Sequence, residues 1–110
     1  MKIYNVGHEG LDDYDLKYLD KEIYKYLIYN YHYEGCEGEG EGVAVLKDKN
    51  GKFILIDLGH YSCCDPLEGC VPKCIYSLEE IIKLLYKYCQ DAYNSRYAES
   101  VAEKLKELEG

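Results

Sequence analysis

The chain has 110 residues, 14 of them tyrosine, and a formal net charge of -8. This length suits one domain, residues 1–110, with a single hydrophobic core. The acidic excess lies mostly in residues 1–42, which carry ten acidic residues against four lysines. An acidic surface repels nucleic-acid phosphates and anionic lipids, so the charge disfavours nucleic acid and membranes as partners and favours a basic protein.

The sequence also indicates a cytoplasmic protein. Charged residues follow soon after Met1, and the apolar runs are short. A signal peptide or a membrane-spanning helix needs a longer apolar run. Six cysteines are unusual in a reducing cytoplasm, except in hyperthermophiles. The many Lys, Glu, Ile and Tyr residues fit a thermophilic source, and the alternative is compositional bias from an AT-rich genome.

The first part of the chain predicts a short strand, a short helix and a longer strand. Residues 2–6 alternate weakly, and residues 11–20 space their leucines as a short helix does. Residues 22–33 fit either a helical period or an alternating one. We favour a strand there, because tyrosine and isoleucine are common in pleated sheet.

A glutamate-glycine repeat at residues 34–42 has the period of a strand and predicts a hairpin with the preceding segment. With a turn at residues 34–37, Tyr31 lies opposite Gly40, where an aromatic ring can cover glycine backbone. The further pairs in this register are Tyr29 with Gly42, Tyr33 with Gly38, His32 with Glu39, Ile28 with Val43 and Tyr26 with Val45.

The sequence Asp48-Lys49-Asn50-Gly51 predicts a second hairpin, because Asn and Gly tolerate positive φ. A loop of two or four residues returns residues 52–58 antiparallel. One face of the sheet then collects Tyr26, Ile28, Val43, Val45, Ile54, Ile56 and Leu58. The other face also needs a cover, which is either a helix or the second subunit of a homodimer. Its apolar members are Leu27, Ala44, Leu46, Phe53 and Leu55.

Two C-terminal helices are expected on one face of the sheet. The sequence Ser77-Leu78-Glu79-Glu80 has the form of a capping box, and an apolar stripe of Leu78, Ile81, Ile82, Leu85 and Cys89 follows. A last helix spans about residues 96–108 with Tyr97, Val101, Leu105 and Leu108 inward, and one bent helix through both segments is the alternative. The predicted fold class is α+β, an antiparallel meander of three to four strands packed against C-terminal helices.

Four of the six cysteines lie close together, as Cys63, Cys64, Cys70 and Cys74. This segment has too few apolar residues to pack by itself, so it needs another source of order. Disulfides would supply it without a cofactor. One structural zinc ion, with His60 as a further ligand, is the second account, and free thiols are the third.

The same segment offers the only arrangement suited to catalysis. A thiol nucleophile at Cys63 or Cys64 needs an imidazole base, here His60, and an orienting group, here Asp57. A thiol-dependent or metal-dependent enzyme centred on His60 and Cys63 is therefore the alternative function. A histidine at the end of a strand is more commonly structural.

The string from Tyr31 to Glu68 resembles small uncharacterised proteins encoded by phages and other prokaryotic viruses. These proteins carry a segment of the form Leu-Gly-His-Cys-Ser-Cys-Tyr-Gly-Pro. The matching residues here are Leu58, Gly59, His60, Ser62, Cys63 and Pro66, whereas Tyr61, Cys64 and Asp65 replace the family's Cys, Tyr and Gly. The resemblance implies a mobile-element or viral origin and implies no activity. A viral origin would place the protein in the host cytoplasm.

These features favour a small acidic, non-enzymatic protein that binds a host or viral protein. Charge asymmetry and the lack of a convincing active site support this function. Tyrosine is enriched at protein interfaces, and clustered carboxylates attract basic partners. The predicted binding residues are Tyr29, Tyr31, Tyr33, Glu37, Glu39 and Glu41.

Overall fold

The computed structural model describes residues 1–7, 10–11, 16–17, 19–34, 39–58, 73–75, 77–89 and 95–110. These residues form an α+β fold, as the sequence predicts. The strands are β1 (Lys2–Asn5), β2 (Tyr24–Glu34), β3 (Glu39–Asp48), β4 (Phe53–Asp57) and β5 (Lys73–Ile75). The helices are α1 (Leu78–Cys89) and α2 (Ser95–Glu109).

The strands make one mixed sheet in the order β1-β2-β3-β4-β5. The pairs from β2 to β5 are antiparallel and include the predicted meander, whereas β1 runs parallel to β2. The sequence did not predict β5, which lies at the end of the cysteine-rich segment. Three residues are too few for a periodic pattern, so pairing with β4 defines this strand.

The predicted register between β2 and β3 was wrong by two residues. Tyr31 lies opposite Gly42 instead of Gly40, and His32 lies opposite Glu41 instead of Glu39. Likewise, the structure pairs Tyr29 with Ala44, Tyr33 with Gly40, Ile28 with Val45 and Tyr26 with Lys47. A shift of two residues returns every side chain to the same face, so the glutamate-glycine repeat fits both registers equally well.

The predicted side-chain parity of β4 was also wrong, because the loop before it has three residues. The amide of Asp48 donates to the carbonyl oxygen of Lys52 at 2.9 Å, which encloses residues 49–51. Gly51 has a φ of 90°, the left-handed conformation that ends a three-residue hairpin loop. An odd loop reverses the alternation, so Phe53 and Leu55 face the helices instead of Ile54 and Ile56.

The buried side chain of Asp48 organises this loop. Its Oδ1 accepts hydrogen bonds from the backbone amides of Asn50 at 2.9 Å and Lys52 at 2.8 Å. A turn makes few backbone hydrogen bonds of its own, so an aspartate side chain that accepts from nearby backbone amides stabilises it. The aspartate therefore favours the three-residue loop.

Both helices bury their predicted stripes. In α1, Ile81 and Leu85 are buried, and in α2, Tyr97, Val101 and Leu105 are buried. Glu79 and Lys83 form the expected ion pair across one turn of α1, at 3.4 Å on the exposed side. The two helices pack against each other, so they are not one bent helix. No helix among the described residues is long and apolar enough to cross a membrane.

The two faces of the sheet carry separate hydrophobic clusters. The cluster under the helices comprises Tyr26, Ile28, Val43, Val45, Phe53, Leu55, Ile81, Leu85, Tyr97, Ala98, Val101, Ala102 and Leu105. The opposite cluster comprises Leu11, Leu16, Leu27, Tyr29, Tyr31, Ala44, Leu46, Ile54, Ile56 and Leu58. All members of the opposite cluster are buried within one chain, so covering this face does not require a second subunit.

Candidate functional site

A pocket with a mixed polar and apolar lining lies where the sheet meets α2, and it is the candidate site. Its volume is about 380 Å³, within the range of sites that take a small ligand or one side chain. The described residues that line it either directly follow β1, belong to the second half of β2 or lie in the first turns of α2: Val6, Gly7, Asn30, Tyr31, His32, Tyr97 and Ser100.

A chain of hydrogen bonds connects the sheet wall of the pocket with the helix wall. The amide nitrogen Nδ2 of Asn30 donates to Oγ of Ser100 at 2.8 Å. Oγ of Ser100 donates in turn to the carbonyl oxygen of Tyr97 at 3.1 Å. The first bond ties β2 to α2 at the pocket, and the second orients the Ser100 hydroxyl within α2.

A carboxylate lies behind the pocket wall. The hydroxyl of Tyr97 donates to Oε1 of Glu41 at 2.7 Å, and the second oxygen of Glu41, Oε2, is buried. Glu41 is the cross-strand neighbour of His32, so the two residues bring a carboxylate and an imidazole to the same end of the sheet. A negative charge that is partly withdrawn from water acts over a longer distance than an exposed one.

This arrangement suits binding better than catalysis. The hydroxyl hydrogen of Ser100 is directed at a backbone carbonyl, whereas a serine nucleophile donates to an imidazole base. The carboxylate of Glu41 places a negative charge next to the pocket residue Tyr97.

The structure separates the predicted binding residues. Tyr29 and Tyr31 belong to the opposite cluster, with exposed fractions of 3% and 5%, so their rings fill the core instead of forming a surface. Glu41 lies behind the pocket wall. Tyr33 and Glu39 lie in the paired ends of β2 and β3, but only their backbone is described, and Glu37 lies outside the described residues.

Most of the predicted cysteine site also lies outside the described residues. This applies to His60, Cys63, Cys64 and Cys70, whereas Cys74 lies in β5 and Cys89 ends α1, both with only the backbone described. Asp57 is exposed at the end of β4. The described side chains include no group of three His, Cys, Asp or Glu residues placed to hold a metal. The disulfide, zinc, free-thiol and enzymatic hypotheses all stay predictions.

A second polar cluster joins the end of α2 to the sheet. Oε1 of Glu109 accepts hydrogen bonds from the hydroxyl of Tyr26 at 2.6 Å and from Nζ of Lys47 at 2.5 Å. Burial raises the pKa of Tyr26 above its ordinary value, and the bond to Glu109 raises it further. Burial also raises the pKa of Glu109, but the bonds from Lys47 and Tyr26 outweigh it and lower the pKa overall. This cluster holds the helix in place.

Sequence reasoning missed Asn30 and Ser100 as site residues. They are 70 positions apart, and no local pattern relates them. Tyr97 was predicted only as an inward-facing core residue. No protein-family model, curated protein or solved structure significantly matches this chain.

Proposed function

We propose that this protein is a non-enzymatic binding module that recognises a basic protein partner at the pocket between β2 and α2. The observation that carries the proposal is the carboxylate of Glu41, which is bonded to the pocket residue Tyr97. The net charge of -8 supports it, because a negative protein attracts a basic partner over a long distance. The resemblance to viral proteins suggests that the partner belongs to the host or to the virus.

The pocket explains how an acidic protein would achieve specificity. A general acidic surface binds any basic protein weakly and loses that binding in salt. A carboxylate shielded from water keeps more of its attraction, since less salt and water lie between it and the ligand. The proposal therefore separates two contributions: surface charge that accelerates association, and a pocket that holds one cationic group.

The test measures binding of fluorescent peptides by anisotropy. The first peptide alternates arginine and serine, and the second alternates glutamate and serine at the same length. We expect the basic peptide to bind, with an affinity that falls as salt rises but persists at physiological ionic strength. Equal binding of both peptides, or no binding of the basic peptide at low salt, would refute the proposal.

A pair of charge-matched variants locates the site. Glu41→Gln removes the partly buried charge but retains an oxygen that can accept from Tyr97. Glu103→Gln removes the same charge from an exposed position of α2. We expect Glu41→Gln to weaken binding of the basic peptide about tenfold and Glu103→Gln less than about twofold, because rim charges contribute little. Equal losses would mean that overall charge alone explains binding.

A further inference from the structure

We infer that Asn50 is a site of spontaneous deamidation and that the hydrogen bonds of Asp48 control how fast it reacts. The inference concerns the loop of residues 49–51 and does not depend on the proposed function. Asparagine is a chemically labile residue, and a small following residue makes it more reactive. Asn50 precedes Gly51, whereas the other asparagines of the chain precede larger residues.

The reaction is an intramolecular displacement at the side-chain amide of Asn50. The backbone nitrogen of Gly51 loses its proton to water or hydroxide and attacks Cγ of Asn50, which forms an N–Cγ bond. The bond from Cγ to the amide nitrogen breaks, and that nitrogen takes up a proton and leaves as ammonia. Water then opens the resulting succinimide at one of its two carbonyl carbons, which gives aspartate or isoaspartate.

The loop leaves space around both reacting groups. Asn50 is exposed, and a Cβ added at Gly51 would meet no atom within 4 Å. Gly51 has a φ of 90° and carries no side chain that would hinder the approach of its nitrogen to Cγ of Asn50. Water therefore reaches the site, and the ring can close without displacing a neighbouring group.

Hydrogen bonds hold the loop in a conformation that restrains the reaction. The amide of Gly51 donates to the carbonyl oxygen of Asp48 at 3.2 Å, and this bond must break before the nitrogen can attack. Its length is at the upper end of the usual range for such bonds. Oδ1 of Asp48 also accepts from the amides of Asn50 and Lys52, which keeps the loop closed. We therefore expect the reaction to proceed through local opening of the loop.

Deamidation weakens the hairpin between β3 and β4. Isoaspartate carries the main chain through its side-chain carbon, which adds an atom to the backbone between residues 50 and 51. This atom lies between the two amides that share Oδ1 of Asp48, so the two bonds cannot both keep their lengths. The new carboxylate also repels that of Asp48, which is 6% exposed.

The experiment incubates the folded wild-type protein at neutral and at mildly alkaline pH and maps its chymotryptic peptides by mass spectrometry over time. We expect the peptide of residues 47–53 to gain the mass difference between an amide and an acid. The gain should be faster at the higher pH, because the attacking nitrogen must lose its proton. Electron-based fragmentation of the peptide should identify isoaspartate in place of Asn50.

Three variants separate the reaction, its control and its consequence. Asn50→Gln should not react, because its longer side chain does not form the same ring. Asp48→Ala should react about tenfold faster, the effect of losing roughly one hydrogen bond that keeps the loop closed. Asn50→Asp carries the charge of the product without the added backbone atom, so aged protein that contains isoaspartate should have a lower Tm than Asn50→Asp.

The unfolded protein in urea provides the reference for the outcomes. If the folded protein keeps Asn50 intact while the unfolded chain deamidates there, or if Asn30 reacts as fast as Asn50, the inference is overturned. An unchanged rate in Asp48→Ala overturns the control by its hydrogen bonds. If Asp48→Ala does not fold, Asp48→Asn, which keeps an acceptor oxygen, replaces it and should show a smaller acceleration.

Discussion

Replacing Tyr26 by phenylalanine removes one hydroxyl from the cluster that joins the end of α2 to the sheet. The ring of Tyr26 is 6% exposed, and phenylalanine keeps its packing. The lost interaction is the 2.6 Å hydrogen bond to Glu109. We therefore expect Tyr26→Phe to lower the free energy of unfolding without changing the fold.

The magnitude follows from the surroundings of the bond. A hydrogen bond to a charged acceptor contributes about 1.5–3 kcal/mol. The side chain of Glu109 is 19% exposed and keeps its ion pair with Lys47, so the variant leaves no isolated buried charge. We expect the lower end of that range, about 1.5 kcal/mol, which corresponds to a fall of roughly 6 °C in Tm for a domain of this size.

Urea denaturation followed by circular dichroism measures the change, with Tyr86→Phe as the control. Tyr86 is 43% exposed, and its hydroxyl bonds to Lys106 on the surface. An exposed pair of this kind contributes little, so the control should lose less than about 0.5 kcal/mol. If the two variants lose the same amount, the bond from Tyr26 to Glu109 does not stabilise the fold.

The pH dependence gives an independent check on Tyr26. Burial, followed by the bond to Glu109, raises the pKa of Tyr26 in the folded protein. In the unfolded chain this tyrosine ionises near pH 10, so the unfolded state loses its proton first. The contribution of Tyr26 to the free energy of unfolding is therefore fully present below about pH 10 and is lost as the pH rises above that value. The stability of wild type and Tyr26→Phe should converge between about pH 10 and 11.

Three further predictions concern the stability at acid pH, the loop of residues 49–51 and the hydrophobic core. Because the pKa of Glu109 is lowered in the folded protein, its contribution to the free energy of unfolding is present above about pH 4.3 and is lost as the pH falls through the pKa of the folded state. The stability difference between wild type and Glu109→Gln, measured by urea titration, should therefore shrink in acid. Asp48→Ala removes the acceptor of two backbone amides and should cost about 2 kcal/mol by chemical denaturation, whereas Asp48→Asn, which keeps an oxygen, should cost less. Leu105→Ala deletes a side chain with 0% exposure and should lower stability by about 3 kcal/mol in the same assay; a loss no greater than that of the half-buried Leu108→Ala would contradict the assigned core.

The sequence alone determined the features that depend on neighbours along the chain. The spacing of Tyr97, Val101 and Leu105 identified the buried stripe of α2, because a helix repeats every 3.6 residues. Alternating tyrosines identified β2 as a strand in the same way. These patterns predicted the fold class, the central meander and two helices on one face of the sheet.

Local patterns could not determine features that depend on counting residues between strands. The repeat at residues 34–42 fits registers two residues apart, because both place the same side chains on the same face. The sequence of residues 49–51 predicts a turn but does not fix the number of residues in the loop. One residue more or fewer in the loop exchanges the side chains of β4 between the two faces of the sheet. The backbone hydrogen bonds of the two hairpins determine the register between β2 and β3 and the length of the loop before β4.

Only the tertiary structure brought the candidate site together. Asn30 and Ser100 meet because α2 packs against β2, and Glu41 reaches Tyr97 across a sequence separation of 56. The same packing placed Tyr29 and Tyr31 inside the opposite cluster, although their residue type suits an interface equally well. Composition led us to expect that the protein binds a basic partner, but the location of the candidate pocket follows from the packing of helix on sheet, which no local pattern encodes.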